Sequence, residues 1–134
     1  MRRADFRLRW GAIRLHTSVF LFALEGLTQR DAKALTTSAR QYAIDHKTGL
    51  KAGMGTGTLS VPVFLCANAD DAAKRWFTHE LAPVFAAMAL PVLLDLETGS
   101  LFYYRGQWGS GFIFRSYTLG LVTKTIAPAI TTAA

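Results

Sequence analysis

The sequence holds a single cysteine, Cys66, and this scarcity excludes two classes of small protein. One thiol cannot form an internal disulfide, so a secreted disulfide framework is excluded, as is a zinc site built from several cysteines. The three histidines lack the spacing of metal ligands, and we expect neither a metal nor a cofactor. The low cysteine count favours a reducing compartment, so we expect a cytoplasmic protein.

Long hydrophobic runs are also missing. The longest apolar stretches, Ser18–Leu24 and Val84–Leu94, are shorter than the roughly 20 residues that a helix needs to cross a bilayer. An export signal is disfavoured as well, because Arg14 and His16 lie against the first stretch and no small-residue cleavage site follows it. We therefore expect a soluble protein with no membrane span.

The composition is that of one compact domain. The chain has 134 residues, of which 51% are hydrophobic and 18% charged. Such a chain can bury a sizeable core without a disulfide or a metal, and it lacks the high charge of disordered proteins. We expect a single globular domain over residues 1–134, with frayed ends at about 1–4 and 128–134.

The positive charge is unevenly distributed along the chain. The net charge is +6, and residues 1–51 carry ten Lys and Arg against four acidic residues, whereas the remainder is balanced. This asymmetry indicates an anionic partner, such as a nucleic acid, a phosphorylated ligand or an acidic protein. A solvated basic face explains the same charges, and no motif of a nucleic-acid-binding family is present.

Hydrophobic periodicity predicts two strands and a helix in the first part of the chain. Asp5–Trp10 alternates between apolar and basic residues, which is typical of a half-buried strand, and Ile13–Leu24 continues as β-like sequence. Apolar residues then recur at helical spacing over Thr28–Lys47, with Thr28 as the N-cap and Tyr42 and His46 on the apolar face.

The second part predicts a further strand, a helix and a hairpin. Val61–Cys66 is a strand, and a helix follows over about Asp71–Leu81. Its apolar face extends toward Val84 and Met88, and Pro83 must end or kink it. Residues 90–105 form a hairpin around a turn at 97–100. Residues 112–119 favour a strand, and 119–126 could form a helix.

These elements predict an α/β (or α+β) domain with two or three layers. It has a central mixed sheet of four to six strands and two or three helices. If the last element is a helix, the order resembles a thioredoxin-like arrangement, with Leu90-Pro91-Val92 where that fold places its proline. The resemblance implies no redox activity, because the Cys-x-x-Cys motif is absent.

The most unusual stretch is Tyr103–Gly109, which brings three aromatic residues and an arginine together beside glycines. Such a hairpin end suits stacking on a base, a sugar or an apolar side chain of a partner. Core anchoring of the aromatic rings explains it equally well. The candidate binding residues are Tyr104, Arg105 and Trp108, together with a basic stripe on the first helix, Arg30, Lys33, Arg40 and Lys47.

Candidate catalytic residues are few. Cys66 ends a strand just before a helix, where a thiol can become a nucleophile, and Asp95 and Glu97 follow an apolar strand at a position common for catalytic acids. A buried structural thiol and a turn explain these residues more simply. The glycines of segment 53–57 follow a helix and precede a strand, which is the wrong order for a phosphate-binding loop.

The preferred hypothesis is a small non-enzymatic binding or protein-interaction domain. The alternatives are an enzyme that uses Cys66, Asp95 or Glu97, and a nucleic-acid-binding module. A homo-oligomer is a further option, because strand Asp5–Trp10 could pair with a second copy across an edge. The sequence does not decide whether the chain is an enzyme.

The binding hypothesis makes a prediction about Trp108. If its ring contacts a ligand, Trp108→Ala should fold normally, as judged by circular dichroism and thermal unfolding, and lose that ligand. If Trp108→Ala unfolds the domain instead, the ring belongs to the core and the hypothesis fails at this residue.

Overall fold

The structure is a computed structural model that describes residues 2–6, 14–46, 56–79, 82–84, 87–106 and 115–129. Its elements in chain order are β1 (Arg2–Phe6), β2 (Arg14–Leu27), α1 (Gln29–Asp45), β3 (Thr56–Ala69), α2 (Asp71–His79), β4 (Ala82–Val84), β5 (Ala87–Ala89), β6 (Val92–Asp95), β7 (Leu101–Phe102) and α3 (Arg115–Leu121), which runs directly into a π-helical segment, Val122–Ile126.

One mixed sheet forms the centre of the molecule. The long strands β2 and β3 are parallel, β1 pairs antiparallel with the start of β2, and both β5 and β6 lie along the other edge of β3. Strands β4 and β7 pair antiparallel outside β5 and β6. Among the described residues, seven strand segments thus occupy five positions. The predicted α/β class with a central mixed sheet is confirmed.

Two prolines account for the break between β5 and β6. The carbonyl of Ser60 accepts from the N–H of Leu90, and the carbonyl of Cys66 accepts from the N–H of Leu96. Every second residue of β3 therefore directs its backbone N–H and carbonyl groups toward this edge, and Pro62 is one of these residues. Pro62 and Pro91 both lack an N–H, so the ladder is interrupted where they meet and resumes at Val92.

Helices cover both faces of the sheet, which gives three layers. Helices α1 and α2 contact each other on one face. Their side of the sheet holds a buried cluster, Leu27, Ala32, Phe64, Cys66, Trp76, Phe77 and Leu93. On the other face, α3 and the π-helical segment pack on a second cluster that includes Leu59, Val61, Val63, Tyr117, Leu121, Val122 and Ile126. Strand β3 supplies both clusters because its side chains alternate.

Helix α1 agrees with the prediction at its start and differs on its apolar face. Thr28 is the N-cap, since its Oγ1 accepts from the N–H of Asp31 at 3.2 Å. The residues that the helix buries are Ala32, Thr36, Ala39 and Ala43. Tyr42, predicted on the buried face, is 46% exposed and lies edge-on to Phe20, with ring centroids 5.7 Å apart. His46 is exposed and stacks on Tyr42.

Three sequence predictions need correction or a new boundary. The helical face does not continue through Val84 and Met88, because Pro83 prevents it and strands β4 and β5 form there instead. The strand prediction for 112–119 is wrong from Arg115 onward, where α3 begins. Strand β1 covers residues 2–6, which includes part of the segment predicted to fray; residues 7–13 of the predicted first two strands lie outside the described residues.

The fold makes a stability prediction for Phe64, which is fully buried beneath α2. Its ring stacks on Phe22 at 5.1 Å and meets Phe77 edge-on at 5.2 Å. Phe64→Ala should lower the free energy of unfolding by about 3–5 kcal/mol, because it removes a large apolar side chain and leaves a cavity. Urea unfolding measures this loss.

The matched control is Leu96→Ala, at a side chain that is 44% exposed. It should change the free energy of unfolding by less than about 0.5 kcal/mol. Equal effects of the two variants would contradict the placement of Phe64 in the core.

Candidate functional site

The carboxyl ends of the parallel strands meet at one edge of the sheet. β2 ends at Leu27, β3 at Ala69 and β6 at Asp95. In open α/β sheets, ligands bind outside this edge. Only Thr28 separates β2 from α1, and only Asp70 separates β3 from α2, so both helices begin directly at it.

The starts of α1 and α2 lie side by side. The N–H of Asp70 donates to the carbonyl of Leu27 at 3.4 Å, which joins the two connections. Asp70 caps α2, since its Oδ1 accepts from the N–H of Ala73 at 2.7 Å, as Thr28 caps α1. Because a helix N-terminus carries partial positive charge, two such ends next to each other favour an anion nearby.

A surface cleft of about 770 Å³ runs between these helix ends, and we call it the interhelix groove. Its lining residues are the two caps, Thr28 and Asp70, together with Gln29, Arg30, Lys33, Ala34 and Thr37 of α1 and Ala72 of α2. Gln29 and Ala72 also line an adjoining recess of about 340 Å³. The other lining residues of that recess are Arg75, Trp76 and His79.

Among the charged side chains that line the groove and recess, the Lys and Arg residues outnumber the one acidic residue. Arg30, Lys33, Arg75 and His79 are exposed. The acidic lining residue, Asp70, already accepts a hydrogen bond from its own helix. Arg40, the third residue of the predicted stripe, is half-buried further along α1 and does not line the groove.

The predicted aromatic site lies on the opposite face of the sheet. Tyr103 is buried in the cluster beneath α3, and half-buried Tyr104 packs against the same cluster. The Arg105 guanidinium lies 4.5 Å from the centre of the Tyr103 ring. The structure therefore does not bring Tyr104 and Arg105 together with the basic residues of α1, and Trp108 lies outside the described residues.

The side chain of Arg115 holds the backbone around Arg105. Arg115 of α3 donates from Nη2 to the carbonyl of Arg105 at 2.9 Å and from Nε to the carbonyl of Gly106 at 3.1 Å. A Cβ at Gly106 would come within 2.5 Å of the Tyr104 hydroxyl, so any larger residue would have to displace the Tyr104 ring. The end of the hairpin is thus tied to the third helix.

Cys66 and Asp95 are brought together, as neighbours in the register of β3 and β6. Both side chains face α2, because Phe64 and Leu93 of the same strands lie in the cluster on that side. The thiol is fully buried and lies 3.7 Å from the carbonyl of Glu25, to which it donates. Asp95 is 2% exposed, whereas Glu97 is exposed.

Neighbouring structural groups hold the Asp95 carboxylate. Oδ2 lies 3.1 Å from Nζ of Lys74 on α2, and Oδ1 accepts from the N–H of Glu97 at 3.0 Å. The backbone carbonyl of Asp95 accepts from the N–H of Gly99 at 2.7 Å. Gly99 itself has a positive φ of 75°, a conformation that favours glycine. The residue therefore starts the turn of the hairpin and anchors α2 above it.

Opposing effects act on the pKa of Asp95. Burial raises the pKa, while the Lys74 ammonium and the hydrogen bonds from Glu97 and Thr98 lower it, and their combined effect leaves the pKa below that of an ordinary aspartate. The hydrogen bond to Asp95 raises the pKa of Lys74. Both side chains are accordingly charged at neutral pH.

The remaining sequence candidates do not gather at this edge. Within the described ranges, no group of three or more His, Cys, Asp or Glu side chains could hold a metal ion. Of the glycine segment, Gly57 is described, and it lies near the start of β3, at the end of the strand opposite the groove.

No helix in the described part of the chain is long and apolar enough to cross a membrane.

No protein-family model matches the chain, and neither a curated protein nor a solved structure shows significant similarity to it. The geometry of the groove is therefore the basis for a functional proposal.

Sequence reasoning missed the residues that α2 brings to the site. Lys74 reaches Asp95 only because α2 crosses over the end of β6. Arg75 and Trp76 line the recess beside the groove only because α2 lies beside α1. The one signal in the sequence was the predicted helix over Asp71–Leu81. Its contacts with other elements depend on tertiary structure.

The ion pair predicts how Asp95 titrates. In Lys74→Met, burial is no longer offset by a nearby ammonium, so the pKa of Asp95 should rise relative to the unchanged protein. Carboxyl carbon NMR during an acid titration measures this shift. Lys124→Met, at an exposed residue on the other side of the sheet, should leave it unchanged.

The same shift predicts the acid stability of the fold. A lowered pKa contributes stability that is present above the unfolded-state pKa and lost as the pH falls through the folded-state pKa. The difference in free energy of unfolding between the unchanged protein and Asp95→Asn should therefore shrink below about pH 4. A difference that is constant with pH would contradict a charged, paired Asp95.

Proposed function

We propose that this chain is a non-enzymatic binding domain whose interhelix groove holds an anionic group of a ligand or a partner protein. The observation that carries the proposal is the position of Arg30 and Lys33 in the groove, and of Arg75 in the adjoining recess, at the carboxyl edge of the parallel strands. It also accounts for part of the excess positive charge in residues 1–51, since Arg30 and Lys33 belong to it.

The size and electrostatics of the groove support this proposal. Its volume of about 770 Å³ lies in the range of small-molecule sites, which is roughly 300–1,000 Å³. Arginine offers a planar fork of N–H donors that matches phosphate and carboxylate groups, while lysine acts as a point charge. The two helix N-termini at the end of the groove add to the positive potential.

The aromatic hairpin end is a separate proposed contact surface. Tyr104, Arg105 and Trp108 stay candidates for binding, but the described pair lies across the sheet from the groove. A ligand that used both surfaces would have to reach around the domain. We therefore favour the groove as the principal site.

Catalysis by Cys66, Asp95 or Glu97 is the weaker proposal. The thiol is buried and donates to a carbonyl, and the Asp95 carboxylate is paired with Lys74. A cytoplasmic location remains part of the proposal, on the ground that the single cysteine suits a reducing compartment.

The test is a pair of double variants with equal loss of charge. Arg30→Gln/Lys33→Gln removes two cations from the groove, and Arg105→Gln/Lys124→Gln removes two exposed cations elsewhere. Each is titrated with inorganic polyphosphate and with a short DNA duplex over a range of salt concentrations. The groove variant should bind both probes more weakly, and for DNA the slope of log K against log salt should shrink by about 0.9 for each lost phosphate contact.

The control variant should bind nearly as well as the unchanged protein. If Arg105→Gln/Lys124→Gln weakens binding more than the groove variant does, the hairpin end is the anionic site and the groove proposal fails. Binding of DNA but not of polyphosphate would favour a nucleic-acid-binding module.

A further inference from the structure

Strand β2 has a long open edge. β1 pairs with it only from Arg14 to Ser18, whereas β3 accompanies it on the other side as far as Leu27. Along Phe20–Leu27, no strand of the described ranges pairs with the outer edge. The outward backbone groups of this stretch can therefore serve as a template for another strand.

This edge lacks the features that usually prevent strand addition. Native edge strands carry lysines, prolines or bulges that discourage pairing. Phe20–Leu27 contains one charged residue, Glu25, and no proline. Its register with β3 keeps a constant offset from Arg14 to Leu27, so no bulge interrupts it.

Apolar side chains are exposed on both faces beside the open edge. Leu21 is 63% exposed on the face covered elsewhere by α3, and Ala23 next to it on that face is also exposed. On the helix side, Phe20 meets the ring of Tyr42, which is 46% exposed. An added strand would cover apolar surface as well as satisfy backbone groups.

We infer that a second copy of this chain pairs with this edge, antiparallel and with a two-fold axis at Ala23. Ala23 lies near the middle of the open stretch, so this register pairs Phe20–Gly26 of one copy with Phe20–Gly26 of the other. It sets Phe22 opposite Leu24 of the second copy and Leu21 opposite Glu25 of the second copy.

The residues at the axis suit this register. Directly opposite side chains in an antiparallel pair have their Cβ atoms about 4.5–5.5 Å apart, so the small side chains of two Ala23 residues fit on the axis. The two Glu25 side chains do not face each other, so no like charges are opposed. The contact uses β2 and not β1, which distinguishes it from pairing through Asp5–Trp10.

The experiment measures the molar mass by light scattering and sedimentation from micromolar to millimolar concentration. The unchanged protein should form a concentration-dependent dimer. Ala23→Lys should be monomeric over the same range, because it places two lysines directly opposite each other. The matched control, Ala129→Lys, adds the same charge at another exposed alanine and should leave the dimer intact.

A charge swap tests the register itself. Ala23→Glu alone should also be monomeric, while an equimolar mixture of Ala23→Lys and Ala23→Glu chains should form a heterodimer, because opposite charges then meet on the axis. Amide exchange confirms that each variant is folded.

Two results would overturn the inference: an unchanged protein that is monomeric at every concentration, or a dimer that Ala23→Lys does not weaken. A monomer would leave the edge available to an extended segment of another protein. The groove residues are not involved, so failure here is distinguishable from failure of the binding proposal.

Discussion

The parallel pairing of β2 with β3 is the constraint on which the rest of the structure depends. It runs from Arg14 beside Thr56 to Leu27 beside Ala69, so both strands end together. Each end is followed by a helix after one residue, and this brings the starts of α1 and α2 next to each other. The same pairing leaves the outer edge of β2 open where β1 stops. The groove and the proposed dimer edge both follow from it.

The second constraint is the ion pair between Lys74, which is partly exposed, and the buried Asp95. It joins α2 to the end of β6, and Asp95 at the same time holds the turn that leads into β7. A charge that is almost completely buried is costly unless it is paired and hydrogen-bonded, and Asp95 has both kinds of partner. These contacts give Asp95 a structural role. They also fix the position of α2, whose Arg75 and His79 line the recess.

The sequence predicts much of the fold because its signals are local. The cap at Thr28, the helix that follows it and the hairpin around Gly99 all appear as expected, since each depends on neighbouring residues. The strand prediction is wrong for residues 115–119, which are helical, because β-branched and aromatic residues also occur in a helix that packs on a sheet. The site was only partly predictable: Arg30 and Lys33 share a helix face, but their meeting with Arg75 depends on the order of strands.

The central claim is that anions bind between the starts of α1 and α2. The most direct measurement is a two-dimensional NMR titration of the backbone amides with inorganic polyphosphate. The largest shift changes should fall on Gln29, Arg30 and Lys33 and on the first turn of α2, and they should diminish as salt is added. Changes that centre instead on Arg105 and α3, or that are spread evenly over the surface, would contradict the claim.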